Sequence, residues 1–182
     1  MPRLVLTGAN GFVGRHVIQA AAAARWDVAG IVRSDEAARV VSEAGGRPLR
    51  VASLEVAPLK EAFAGADAVV HLAQIGSERP GVTYRDVNVE GTRRVGQAAE
   101  QAGVARVVYF SGLGIAHYGQ WPRCTNPYFL SKLEAEAALF ASALEVAVFR
   151  PSYILGPGDS WAPFVLKQMA RELLRPSINL KA

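Results

Sequence analysis

Short apolar runs alternate with longer stretches of helical spacing along nearly the whole chain. The runs predict strands at Arg3–Thr7, Val28–Arg33, Pro48–Ala52, Ala68–Ala73, Arg106–Ser111 and Glu145–Arg150. The amphipathic stretches predict helices at Phe12–Ala24, Asp35–Ala44, Pro58–Ala64, Tyr84–Ala102, Tyr128–Ala143 and Ala162–Leu174. Two of the runs, Val69-Val70-His71-Leu72-Ala73 and Val107-Val108-Tyr109-Phe110, are almost unbroken in apolar character. Strands covered on both faces read this way. Gly45-Gly46, Gly65 and Gly103 each follow a predicted helix and mark its stop. A strand–helix alternation of this kind gives parallel strands with right-handed crossovers. The expected fold is therefore α/β, a doubly wound parallel sheet.

Composition narrows the setting. A chain of 182 residues suffices for one domain that buries roughly 70% of its unfolded surface. The net charge of +4 is mild and its arginines and lysines are scattered, so no nucleic-acid partner is expected. A single cysteine, Cys124, excludes an internal disulfide and fits a reducing compartment. The sequence enters its first strand with no secretory signal ahead of it. Val17–Ala24, an alanine-rich helical run, is too short to span a bilayer and is flanked by Arg15, His16 and Arg25. The expected location is cytoplasmic, with no membrane partner.

The first turn carries the strongest chemical signal. Leu4-Val5-Leu6-Thr7-Gly8-Ala9-Asn10-Gly11-Phe12-Val13-Gly14 reads as a strand, a glycine-rich turn and a helix start. A dinucleotide pyrophosphate needs that order. Gly8 permits the tight turn, Gly11 keeps side chains away from the approaching phosphates, and Gly14 permits close packing of the helix. The helix N-terminus then presents unpaired N–H groups and a partial positive charge to the anion. Asn10, Phe12 and Val13 belong to the same expected cofactor cradle.

In an open parallel sheet, ligands sit beyond the C-terminal ends of the strands. The second predicted strand ends in Arg33 and Ser34, where an acid would hold the ribose of NAD. An arginine pairs with the 2′-phosphate of NADP instead. Asp35 and Glu36 follow and are within reach of a ribose, but the local charge favours NADP over NAD. Tyr128 and Lys132 stand four residues apart at a predicted helix start, on one helical face. A tyrosine with a pKa of about 10 needs a shift of roughly three units, about 4 kcal/mol, to exchange protons near neutrality. An ammonium about 4 Å away supplies energy of that order at an effective dielectric near 20. His71, inside an apolar run, reads as a satisfied core histidine.

Together these segments resemble the short-chain dehydrogenase/reductase superfamily, in its extended or atypical epimerase/dehydratase branch. The resemblance rests on Thr7-Gly8-Ala9-Asn10-Gly11-Phe12-Val13-Gly14, His71-Leu72-Ala73, Asn88-Val89-Glu90-Gly91-Thr92, Tyr128-Phe129-Leu130-Ser131-Lys132, and Phe149-Arg150-Pro151-Ser152-Tyr153-Ile154-Leu155-Gly156-Pro157-Gly158. It implies a Rossmann fold and NADP or NAD as cofactor. It also implies Tyr128 as general acid/base, and Lys132 as the residue that holds the nicotinamide ribose and lowers the tyrosine pKa. Leu72 and Ala73 would lie along the cofactor, Asn88 would support the loop after the fourth strand, and Pro151 and Ser152 would flank the nicotinamide.

Three features depart from the family pattern. The family hydroxyl that binds the substrate oxygen falls near Leu113, which leaves Ser111 as the candidate third catalytic residue. Ser53 stands where relatives carry an acid, beside Leu54, against the adenine. Few residues follow Gly158, which implies a nucleotide-binding domain over 1–160, a helix and tail over 161–182 as the remnant of a substrate lobe, and a longer protein as one reading. The helix expected at Ala162–Leu174 has an apolar face of Phe164, Val165, Met169, Leu173 and Leu174 that would close over the cleft, form a homodimer contact or belong to such a lobe. The resemblance implies an oxidoreductase or sugar-nucleotide epimerase/dehydratase-like enzyme acting on a small-molecule carbonyl or alcohol. The alternative is a non-catalytic NAD(P)-binding subunit, of the redox-sensor or respiratory complex I accessory type.

Overall fold

Six strands form one parallel sheet: β1 (Arg3–Thr7), β2 (Asp27–Val32), β3 (Arg47–Arg50), β4 (Ala68–His71), β5 (Arg106–Phe110) and β6 (Glu145–Phe149). Their order across the sheet is β3-β2-β1-β4-β5-β6, with Val5 paired to Ala29 on one side and to Val69 on the other. This is the doubly wound α/β arrangement, and the order reverses between β1 and β4, where such folds bind ligands. The structure, a computed structural model, describes residues 1–118, 120, 122–159 and 162–173.

Alternation along each strand builds two cores. Leu4, Leu6, Val28 and Val70 face α1 (Phe12–Ala23) and α2 (Asp35–Glu43), which contribute Ile18 and Val41. Val5, Ala29, Val69, Val107 and Tyr109 face the opposite layer. There α3 (Val56–Phe63), α4 (Gly91–Gln101) and α5 (Pro127–Phe140) bury Leu59, Phe63, Val95 and Leu139. Each such side chain contributes on the order of 2 kcal/mol by leaving water. Contacts divide the chain into Met1–Ser152, which holds the sheet, and Tyr153–Ala182, which holds α6 (Ala162–Leu173). Phe164 and Met169 of α6 are exposed, and Leu174 lies outside the described residues.

Five strands end one or two residues before the sequence pattern suggests. At β4 the cause is visible: the Leu72 N–H makes the last ladder bond, to the Thr7 carbonyl at 3.2 Å, and the Ala73 N–H then goes to the Thr7 hydroxyl at 3.3 Å, so the chain leaves the ladder. A second difference concerns the long helix expected at Tyr84–Ala102. It opens with a π-helical turn, Arg85–Glu90, in which the Gly91 N–H reaches back five residues to the Asp86 carbonyl. The Thr92 hydroxyl takes the Asn88 carbonyl at 2.5 Å, an i−4 back-bond that competes with the ordinary helical donor. Turns of this kind concentrate at functional sites.

His71 is fully buried at the end of β4, and its neighbours fix its tautomer. Because Thr92 spends its proton on Asn88, it must accept from His71 Nε2–H, at 2.9 Å. Nδ1 is then bare and accepts the Thr7 hydroxyl at 2.6 Å. Burial, with a smaller push from the Lys132 charge, lowers its pKa to about 3. An unfolded histidine takes a proton near pH 6.5, so between about 6.5 and 3 the unfolded state binds more protons. Stability should therefore fall as pH drops through that window, by about 5 kcal/mol in all from this one group. Acid unfolding of His71→Gln, which does not titrate there, isolates the effect. A wild-type profile no steeper than the variant's would contradict it.

Candidate active site

Every parallel strand delivers its C-terminal loop to the same edge of the sheet. At the exit of β1 the chain turns at Gly8, whose φ is +68°. A Cβ there would sit 2.7 Å from the Ala73 nitrogen, so the turn lies directly against the β4 exit at Leu72 and Ala73. A Cβ on Gly14 would sit 2.5 Å from the carbonyl oxygens of both Gly8 and Ala9, so α1 starts as close to the turn as backbone permits. Gly11 is the N-cap and donates its own N–H to the Gly8 carbonyl at 3.1 Å, with no side-chain cap on the helix. The N–H groups of Phe12, Val13 and Gly14 follow at the open helix start, and Asn10 is exposed beside them. The result is a cradle lined by main chain, which suits an anion flanked by bulky groups.

The other strand exits differ in what they present. After β2, Arg33 is exposed, while Ser34 turns away to cap α2 through the Ala37 N–H at 3.2 Å. Asp35 forms an ion pair with Arg50 at the end of β3. Ser53 is exposed, and Leu54 packs against the core. Asn88 is buried, and its carboxamide accepts from the Ile75 N–H at 2.9 Å and donates to the Ile75 carbonyl at 3.2 Å and to Ser131 Oγ at 3.1 Å. It fastens the loop after β4 to α5. After β6, the Pro151 carbonyl accepts from the Leu113 N–H at 2.8 Å, and Ser152 is exposed.

The Asn126 side chain caps α5 by accepting the Tyr128 N–H at 3.0 Å, which sets the tyrosine in the first turn. One turn on, Lys132 is 1% exposed. Its ammonium donates to the Phe110 carbonyl and to Gln74 Oε1, each at 2.6 Å, and stands 4.2 Å from the centre of the Tyr109 ring. Tyr128 Oη donates to the same Gln74 oxygen at 3.4 Å. Burial lowers the Lys132 pKa to about 7 against the opposing pull of Glu136. Burial also raises Tyr128, a rise that its bond to Gln74 reduces and Tyr84 adds to. The downward shift expected of the tyrosine from the lysine charge is thus not what this arrangement produces.

A further turn along the same face, Glu136 is 2% exposed and holds Arg150 in a bidentate pair, Nε to Oε1 at 3.0 Å and Nη2 to Oε2 at 2.5 Å. Burial would raise this carboxyl, but the Arg150 bonds, Ser111 and the charges of Arg150 and Lys132 hold it below the ordinary range. The Ser111 hydroxyl is buried beside that carboxylate, although its oxygen falls outside hydrogen-bonding geometry with any described residue. Leu113, where the family hydroxyl was expected, is 64% exposed. Tyr118 packs on Phe129 with centroids 5.1 Å apart and the rings tilted by 37°.

Sequence reasoning missed Gln74 and the Glu136–Arg150 pair. Gln74 left no signal beyond its place after a strand. Glu136 did leave one, as an acid four residues beyond Lys132 and so on the same helical face. The pair yields an asymmetric prediction. Arg150 is 43% exposed at its side chain and Glu136 only 3%. Arg150→Met strands a buried carboxylate and should cost about 3 kcal/mol. Glu136→Gln leaves an arginine that can turn to water and should cost less. Equal losses in urea unfolding would refute the asymmetry.

A family model described as NAD(P)H-binding matches residues 8–168. The 4-hydroxy-2-methyl-3-oxo-4-farnesyl-3,4-dihydroquinoline-1-oxide ketoreductase of Stigmatella aurantiaca is 30% identical, over 87% of this chain and 52% of its own. The chain spans about half the length of this and three other curated relatives it matches. A solved structure from Bacillus halodurans, described as an NAD-dependent epimerase/dehydratase, superposes with a TM-score of 0.77 at 27% identity, over 88% of this chain and 74% of that one. A short-chain dehydrogenase/reductase superfamily protein from Agrobacterium tumefaciens with bound NAD superposes with a TM-score of 0.63 at 34% identity, over 81% and 48%.

Proposed function

The chain belongs to the NAD(P)H-binding family, within the short-chain dehydrogenase/reductase superfamily, and from that premise we propose that it is an oxidoreductase acting on a small-molecule carbonyl or alcohol. The observation that carries this reading is the convergence of Tyr128 Oη and Lys132 Nζ on one oxygen, at the sheet edge that also carries the bare glycine turn. The coenzyme, when bound, supplies the hydride. The main chain at Phe12, Val13 and Gly14 binds its pyrophosphate, with Gly8, Asn10 and Gly11 shaping the turn. Lys132 holds the ribose next to the nicotinamide. Leu72, Ala73, Pro151 and Ser152 border the coenzyme, Asn88 keeps the Ile75 loop in place, and Ser53 and Leu54 face the adenine. Tyr128 moves the proton between its hydroxyl and the substrate oxygen. Ser111 supports this machinery through Glu136.

NADP is the proposed coenzyme over NAD. Asp35, the acid best placed to compete for a ribose, is held by Arg50, and Arg33 stands exposed beside it. A 2′-phosphate there meets an arginine and a neutralised acid. NADPH should accordingly raise the melting temperature more than NADH, and Arg33→Ala should abolish that difference. Identical shifts in the wild type would remove the NADP assignment.

Proton transfer is tested separately. With a carbonyl substrate found by screening aldehydes and ketones for NADPH oxidation, Tyr128→Phe should reduce turnover at least about 100-fold, the low end of general acid–base catalysis, while coenzyme binding persists. Retained turnover would place the proton elsewhere.

A further inference from the structure

Lys132 has three N–H donors and three partners: the Phe110 carbonyl, the Tyr109 ring and Gln74 Oε1. Two of these belong to β5, where Tyr109 is 2% exposed. Neither can leave without breaking the sheet or its core. Gln74 differs. It is exposed, sits on the loop after β4, and reaches the ammonium from the side where strand-end ligands arrive. Its oxygen is the only acceptor among the described residues that meets both Lys132 and Tyr128. Because an ammonium is donor-only, the carboxamide must present oxygen, not nitrogen, to Lys132.

A sugar hydroxyl offers the ammonium the lone pairs that Gln74 Oε1 offers here, and it can meet a phenol as acceptor or as donor. We propose that Gln74 is a positioning residue that holds Lys132 and Tyr128 in register until the hydroxyls of the nicotinamide ribose take over its place on both donors. The inference rests on the coenzyme reading above. Coenzyme binding is then an exchange: one hydrogen bond to Lys132 breaks as another forms, and the Gln74 carboxamide is released beside the Tyr128 hydroxyl. The loop allows this, because the Ile75 backbone next to Gln74 is anchored independently by Asn88.

The exchange has a measurable sign. Removing an ordinary contact residue weakens binding, whereas removing a displaced one strengthens it. Gln74→Ala should therefore bind NADPH about five-fold more tightly than wild type in a fluorescence titration, the equivalent of about one net hydrogen bond. Gln74→Glu places a carboxylate on Lys132 that is harder to displace, so NADPH should bind at least about ten-fold more weakly near pH 8. That loss should shrink as the pH is lowered and the new carboxyl takes a proton. Unchanged or weaker binding by Gln74→Ala would overturn the proposal while leaving the coenzyme reading intact. A wild-type protein that binds neither NADPH nor NADH would overturn the reading and the proposal together.

Discussion

The ligand-binding edge of this sheet is tied together by a neutral imidazole that has no access to water. His71 joins β1 to β4 through Thr7, and β4 to the π-helical turn through Thr92. Each partner has a second duty. The Thr7 oxygen receives the Ala73 N–H at the point where the glycine turn presses on β4. Thr92 takes the Asn88 carbonyl, and Asn88 in turn holds the Ile75 loop and Ser131 of α5. A single buried chain of donors and acceptors therefore sets the glycine turn, the β4 loop and α5 against one another. In a low-dielectric interior such a chain is strong only when every member is satisfied, and each atom of this one has a partner of the right kind.

That rigidity bears on Lys132, which the fold buries as a cation. Burial pushes its pKa down, to about 7 even with Glu136 pulling the other way. Three features oppose this. The Tyr109 ring meets the ammonium and is also stacked on His71 with centroids 5.6 Å apart, so the imidazole chain helps fix the ring. The Phe110 carbonyl and Gln74 accept two of its protons. Glu136 lies one turn away with its charge kept by Arg150. Yet the same positive charge lowers the His71 pKa, which helps keep the imidazole neutral and the chain in its tautomer.

Most of the fold was legible because periodicity carries it. Apolar runs gave all six strands, and the residue types after β1 and at the start of α5 marked the two ends of the proposed site. The rest depended on partners distant in sequence. Asn88 and Ser131 are 43 residues apart, and Thr7 and His71 are 64 apart, so no local pattern announces either bond. The π-helical turn was hidden for a similar reason: Tyr84–Ala102 keeps helical spacing, and the wider turn follows from a threonine back-bond that periodicity does not register. Lys132 and Tyr128 were found by their spacing, but their electrostatic relation was not. Spacing places two groups on one face; it does not say that a glutamine oxygen stands between their protons.

That oxygen changes how the tyrosine acquires acid strength. An ammonium with all three donors engaged acts on a neighbouring phenol through space, and the Tyr128 pKa stays raised because desolvation outweighs what Gln74 returns. Lowering it requires charge or hydrogen bonds that favour the phenolate beyond those the chain supplies. A ribose hydroxyl in place of Gln74 Oε1 would provide one, because it can accept from Lys132 and donate to Tyr128 Oη, which a carboxamide oxygen cannot do. Under the exchange proposed above, the hydrogen bond at Tyr128 would reverse, the phenol oxygen accepting and its own proton being left for a substrate oxygen. On this logic the site's acidity would be assembled by binding, and what the fold contributes beforehand is geometry: Lys132 and Tyr128 aimed at one oxygen, and a β4 loop fastened through Asn88.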